Sequence, residues 1–479
     1  MKELAEAFAS YLDHVSVRIM DRLGRTRNES DSTKKVRPIP AAVRAWFEEC
    51  EQGENWDRLV AICNNVLGTE SQRRTARWQA ALKHWMRRGS TYWSLLDGIR
   101  PDPAAAAESF ADATNAREGR VVYLALLDGV YFRGREDDVM DFGDFQVFRP
   151  TTTYLESLLG IPVNRIFYPR AVTSTERLIN HWYLRLERRE SLPPVCGMLY
   201  DPEMFAGAIS PMYTEFHPAI ETALKRLILC DQLGPREEFH PDGWVKISVP
   251  FIIRANENPL VAPPPAPPIE NLAYQPALDA DGEEVGEQPT TLIHLAAQQT
   301  AKFEQSIRNV HGQLEKIHSI GEQWQFVDLG LNYLIKGYFS EGIEQLIWHI
   351  ISLEALLGEE RTEIVERIST RVSALYSEDR ERRLAAARDF KTLYEMRCSY
   401  VHGRSFKKQM DSNHLWKGRE LAYTIAIRML DLLSQLAEKV NAGILTEVPT
   451  RKQVLEMLYA DGIRMKHPAL SQVFLSASL

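Results

Sequence analysis

Residues 331–358 read LNYLIKGYFSEGIEQLIWHIISLEALLG, and their spacing decides the fold of the second half of the chain. Ile343, Ile347, Ile350 and Leu357 recur at three- to seven-residue steps, which sets them in one stripe of an α-helix. Glu354 falls on the same side, so the stripe carries a carboxylate. Outward from this stretch the helical pattern continues over about 291–318, 324–337, 341–357, 361–376, 380–401 and 419–440. Gly358, Gly403 and Gly418 fall near the breaks, where left-handed cap residues are expected. The pattern predicts an up-and-down bundle over 292–442, followed by a tail over 443–479.

Upstream, NPLVAPPPAPPIENLAYQPALDADGEEVGEQPTT at 258–291 replaces hydrophobic period with proline, glycine and acidic residues, and reads as a semi-extended linker. Before it, VVYLALLDGVYF, FQVFRP, NRIFYP, HWYLRL and WVKISVPFIIR are short β-branched and aromatic runs between turn residues. TYLESLLG among them predicts a short helix, with Thr153 and Glu156 in capping-box spacing and Gly160 at its end. Residues 120–257 therefore read as an α+β domain and 1–115 as helical. The fold class is α+β multidomain: a mixed N-terminal α and α+β region followed by an all-α bundle.

A formal net charge of -8 over 479 residues argues against attachment to nucleic acid by bulk charge, so any polynucleotide contact is local. No apolar run reaches membrane-spanning length, and the acidic amphipathic opening MKELAEAFASYLDHVSVRIM differs from a signal peptide, so a cytoplasmic location without membrane contact is expected. Cys50, Cys63, Cys196, Cys230 and Cys398 are scattered and form no C-x-x-C pair, which predicts reduced thiols without a disulfide framework or zinc site. Phosphate-loop, dinucleotide and nucleophile-elbow motifs are absent, and no cofactor is expected. His349 and His414 lack the spacing of a metal site.

Residues 394–404, YEMRCSYVHGR, carry the chemistry. Ala386, Phe390, Leu393, Arg397 and Tyr400 follow helical spacing, so an arginine continues an apolar stripe and needs a partner. Glu354 is a candidate for it, and Arg371 is an equally allowed partner for that carboxylate. His402 stands five residues after Arg397, a rotation that leads away from the arginine on a regular helix. If the helix ends at His402, with Gly403 as the cap, a frayed last turn brings the two together at a negative helix terminus. Such a cationic pair suits cleavage of RNA by its own 2′-hydroxyl. Histidine moves the proton and arginine neutralises the phosphate oxygens. One histidine cannot act as both base and acid in a turnover, whereas two copies across a dimer can.

With this order of segments, residues 324–440 resemble an Apea-like HEPN domain. The matching pieces are LNYLIKGYFSEGIEQLIWHIISLEALLG, ERISTRVSALY and FKTLYEMRCSYVHGR. The resemblance implies an all-helical bundle that pairs into a homodimer, with a composite ribonuclease centre at the interface. By position it assigns the catalytic arginine and histidine to Arg397 and His402 and the helix carboxylate to Glu354. Cys398 departs from the polar residue, frequently asparagine, found after the arginine, although Ser399 and Tyr400 are nearby donors. The resemblance further implies a bacterial anti-phage role through RNA damage. The front region would then act as sensor for a phage-derived protein or small-molecule trigger. The alternative expectation is a HEPN module that dimerises or binds RNA or nucleotides without cutting; a third is a toxin-like chain silenced by a partner.

Two basic stretches bear on RNA. Arg404, Lys407 and Lys408 border the suspected centre and could guide a phosphate chain. RRTARWQAALKHWMRR at 73–88 could do likewise, but the reading of an amphipathic helix with Trp78, Leu82 and Trp85 in the core is favoured.

Overall fold

A computed structural model describes residues 1–28, 40–68, 75–88, 90–132, 138–159, 175–192, 209–211, 218–230, 247–256, 258, 260, 272, 274–278, 283–290, 293–359, 364–403 and 410–466. Strands concentrate in the N-terminal half and the C-terminal half is helical, as the α+β then all-α reading expects. The chain is shared between two compact units: Met1–Leu127 with Gly143–Pro211 and Val249–Pro289, and Asp128–Phe142 with Met212–Ser248 and Thr290–Leu479. The expected contiguous division at 115, 257 and 291 is thereby corrected.

The helices of the first unit are α1 (Lys2–Asn28), α2 (Pro40–Cys50), α3 (Glu54–Leu67), α4 (Thr75–Arg88), α5 (Ser90–Leu96), α6 (Pro103–Asn115), α7 (Thr152–Leu158) and α8 (Thr175–Leu178). Leu4, Phe8, Tyr11, Leu12 and Val15 form the buried stripe of α1, in one core with Phe47, Trp56, Leu82 and Phe110. Phe8 meets Trp85 edge-on at 5.6 Å. Trp78, Leu82 and Trp85 are buried, and the Lys83 and Arg87 cations converge on the carboxylate of Glu51, which is 1% exposed. The 73–88 stretch is thus a packed amphipathic helix over its described part. Its two inner cations hold a carboxylate that would otherwise be costly to bury.

In chain order the strands are β1 (Glu118–Leu127), β2 (Val130–Phe132), β3 (Val139–Asp141), β4 (Gln146–Phe148), β5 (Trp182–Ser191), β6 (Ile209–Pro211), β7 (Phe251–Asn256), β8 (Tyr274–Leu278), β9 (Glu284–Pro289) and β10 (Ile293–Leu295). Within the first unit β1 is central: β5 runs antiparallel to it from Glu118↔Ser191 to Leu127↔Trp182, and β7 lies on its other edge. β4 extends the sheet beyond β5, and β6 beyond β7. α7 is capped by Thr151, whose hydroxyl accepts from the Tyr154 amide at 3.2 Å. It starts before the expected Thr153 cap; Gly160 and NRIFYP lie outside the described residues.

The expected linker over 258–291 is also corrected. β8 and β9 pair antiparallel, from Tyr274↔Pro289 to Leu278↔Glu284, and Leu260 and Leu272 are buried. Ladder hydrogen bonds satisfy a backbone whose side chains bury little.

Burial raises the thiols of Cys50 and Cys63, to about 11 and about 12. Alkylation of the native protein at pH 8 is expected to spare both while half-buried Cys398 reacts, as read by peptide mapping. Equal labelling would contradict this core. Cys196 lies outside the described residues.

The second unit contains α9 (Pro218–Ile228), α10 (Ala297–Ser319), α11 (Phe326–Phe339), α12 (Gly342–Leu357), α13 (Ile364–Leu375), α14 (Arg380–Val401), α15 (Ser412–Asn441) and α16 (Arg451–Lys466). α12 packs on α11 and α15, α13 on α14 and α16, and α10 on α15. β2 pairs in parallel with β10, where Phe132 meets Phe303 at 4.8 Å. The expected tail over 443–479 instead contributes α16, with Val454, Leu455 and Leu458 buried.

Of the three glycines read as left-handed caps, Gly403 adopts that conformation, with φ 61°. Gly358 is extended, at φ -81°, and a Cβ there would collide with the Glu354 carbonyl oxygen. Gly418 lies inside α15, which begins at the Asp411 cap, and an added Cβ would stand 2.9 Å from Leu346 Cδ1. It marks close helix packing, not a break.

Candidate active site on the helical bundle

α12 and α14 lie against each other and supply the site. The buried face of α12 runs through Leu346, His349, Ile350, Leu353 and Leu357, which leaves Ile343 and Ile347 half-buried beside the stripe expected for them. Glu354 sits on that boundary. On α14, Ala386, Phe390 and Leu393 are buried as expected, but the inner face continues through Met396. Arg397 is therefore at the margin, and Tyr400 is 49% exposed. A 22-residue helix drifts relative to a fixed four-residue step, so the apolar stripe does not end on the residue its start would indicate.

Arg397 Nη2 lies 3.6 Å from Glu354 Oε2, with side-chain exposures of 21% and 26%. This is an ion pair too long for a direct hydrogen bond. The Arg397 Nε–H is buried and has no hydrogen-bond partner among the described residues. The guanidinium is held but keeps donors to spare. The ring of Tyr394, one turn earlier on α14, lies 5.9 Å from the Arg397 guanidinium carbon. Burial, and then the negative Glu354, raise its phenol to about 12, so it stays protonated at neutral pH. Tyr394 was missed by sequence reading, though its spacing to Arg397 placed it on the same helix face.

The alternative carboxylate partner is resolved. Arg371 is fully buried and pairs with Glu359 Oε1 at 3.1 Å, while its Nη1 and Nε donate to the carbonyls of Leu357 at 2.7 Å and Leu455 at 3.0 Å. It closes the C-terminus of α12, where backbone carbonyls lack intrahelical donors. Arg451 assists through the Ala355 and Gly358 carbonyls, both at 2.8 Å.

His402 is the exposed C-cap of α14; its amide still donates to the Cys398 carbonyl at 3.0 Å, and Gly403 donates to that of Tyr400 at 3.1 Å. The last turn is thus regular to its end, contrary to the frayed turn expected. The rotation of about 140° between positions five apart persists. Among the described residues no hydrogen bond joins the His402 ring to Arg397 or to any other group. Ser399, two residues beyond Arg397 and so turned about 200° from it, is not brought to the pair. Arg404, Lys407 and Lys408 lie outside the described residues.

Against family models, curated proteins and solved structures the chain has no match. Among the described residues, no group of three His, Cys, Asp or Glu side chains could hold a metal ion, and no helix is long and apolar enough to cross a membrane.

Proposed function

We propose that the chain is a HEPN-type endoribonuclease effector that acts as a homodimer in the cytosol. Its front half would sense a phage-derived protein or small molecule and release RNA cleavage as a defence. The observation that carries this reading is the Arg397 guanidinium, positioned by Glu354 and Tyr394 with donor capacity left over.

In the proposed reaction, a 2′-hydroxyl loses its proton to the His402 ring of one copy and attacks the adjacent phosphorus. The 5′-oxygen leaves as that bond forms and takes a proton from the second His402. Arg397 from each copy stabilises the charge on the non-bridging oxygens. A second copy supplies the acid that one chain lacks, and half-buried Ile343, Ile347 and Ile351 on α12 with 51%-exposed Val401 on α14 offer apolar surface for pairing. The competing reading, a bundle that dimerises or binds RNA without cutting it, draws on the absence of a group orienting the His402 ring among the described residues.

Cleavage of labelled RNA in the presence of a chelator tests the two. His402→Ala and Arg397→Ala are expected to lower the wild-type rate by about 100-fold or more. Equal rates in all three proteins, or wild-type activity lost to the chelator, would overturn the mechanism.

A further inference from the structure

Glu354 lies in the last turn of α12, where backbone carbonyls run out of donors within their own helix. Donors come instead from α13 and α16. Arg451 Nη2 donates to the carbonyl oxygens of Ala355 and Gly358, both at 2.8 Å, and Arg371 Nη1 donates to that of Leu357 at 2.7 Å. Within the turn, the Gly358 amide donates to the Glu354 carbonyl at 2.7 Å. The backbone that carries the Glu354 side chain is therefore tied down from outside α12.

The start of α16 puts Arg451 in place for this. Thr450 and Gln453 form a capping box: the Thr450 amide donates to Gln453 Oε1 at 2.8 Å, and the Gln453 amide donates to Thr450 Oγ1 at 3.3 Å. The Trp324 indole N–H holds the Pro449 carbonyl just before it, at 2.9 Å. Arg451 is thus the first residue of α16, where the helix dipole opposes a cation and the first turn has no acid to offset it. Burial, and then Arg371, hold its guanidinium below the usual arginine range. What compensates is the negative end of α12, with the Phe326 ring 4.8 Å from the guanidinium carbon.

The geometry points to Arg451 as a positioning residue for Glu354, acting through the backbone of the last turn of α12, with Arg371 as the second tie. At 3.6 Å the Glu354–Arg397 pair stands beyond hydrogen-bond distance, so a small movement of that turn closes or opens it. The docking of α16 thereby sets how firmly the Arg397 guanidinium is held, although residues 451 and 397 do not touch. That Arg397 serves RNA cleavage rests on the function proposed above; that α16 sets its position does not.

Nitrogen-15 labelling of the arginines in the full chain gives the readout. Loss of a signal in Arg397→Lys identifies the Arg397 Nε–H resonance, and Glu354→Gln shows where it moves when the carboxylate charge is removed. Arg451→Met, which keeps an apolar stem against Phe326 but has no donors, is expected to shift the resonance in the direction of Glu354→Gln. Arg451→Lys is expected to shift it less, because an ammonium keeps part of the donation. Lys452→Ala, an exposed neighbour of the same charge, is expected to leave it in place. Thermal melting identifies the folded variants. A wild-type resonance in folded Arg451→Met, or in folded Arg451→Lys should the first not fold, would overturn the inference, as would an equal shift in Lys452→Ala. RNA cleavage is the second readout: Arg451→Met is expected to lower the rate at saturating RNA about tenfold or more, and to add nothing to the loss in Glu354→Gln when the two are combined. If the wild type cuts no RNA, the ribonuclease reading fails while the resonance still decides the role of Arg451.

Discussion

Arg371→Ala is expected to destabilise the second unit by about 3–5 kcal/mol, the scale for breaking a buried ion pair by removing one partner. The guanidinium is completely buried, and its loss would leave the Leu357 carbonyl at the end of α12 without its donor, empty the space between α12 and α16, and leave Arg367 alone to hold the Glu359 carboxylate. An unsatisfied buried acceptor costs about 1–3 kcal/mol by itself. Arg371→Lys should recover little, because a single ammonium lacks the fork that reaches three acceptors in different directions. Urea unfolding followed by helical circular dichroism gives the measurement. A transition in Arg371→Ala coincident with that of the wild type would show that this arginine does not tie α12 to α16.

The second large effect concerns Gly462 on α16. An added Cβ would fall well inside contact distance of the Thr370 carbonyl oxygen, which is backbone of α13 and cannot rotate away. Gly462→Ala is expected to cost about 1–3 kcal/mol by overpacking, despite the better helix propensity of alanine. Gly312→Ala supplies the contrast. Gly312 is also in a helix, α10, but a Cβ there meets nothing within 4 Å, so stabilisation by about 0.5–1 kcal/mol is expected. Paired melting curves check both; a shift of the same sign in the two variants would refute the close approach of α16 to α13.

The legible parts of the bundle are those encoded locally. α14 was expected over 380–401 and occupies Arg380–Val401, because Asp379 caps its start and left-handed Gly403 follows its end. α12 and α13 match within a few residues for similar reasons. Gly418 looked like a break since, in sequence, a glycine closing a helix and a glycine admitting Leu346 are the same letter. The Asp411 cap lay in plain view in DSNHLW, eight residues before the start expected at 419.

At the site, the Glu354–Arg397 pairing was legible as one of two options. Only packing separates Arg397 from Arg371, which is drawn instead to Glu359 and the end of α12. Tyr394 could have been found by stepping one turn back from Arg397. The ties from Arg451 could not, because its two acceptors stand 96 and 93 positions before it.

The interleaving of the two units bears on how this protein is made. β2 has its partner, β10, more than 160 residues later, and Tyr423 donates to the Leu229 carbonyl across 194 positions. During synthesis at about 5–20 residues per second, the strand at Val130–Phe132 and helix α9 must wait many seconds on the ribosome for α10 and α15. Through that interval, apolar groups such as Phe132 and Leu227, buried in the finished chain, have no completed core to enter. A fragment beginning after residue 289 would lack them altogether, so the second unit is assembled from segments as far back as Asp128 and not from its last stretch alone.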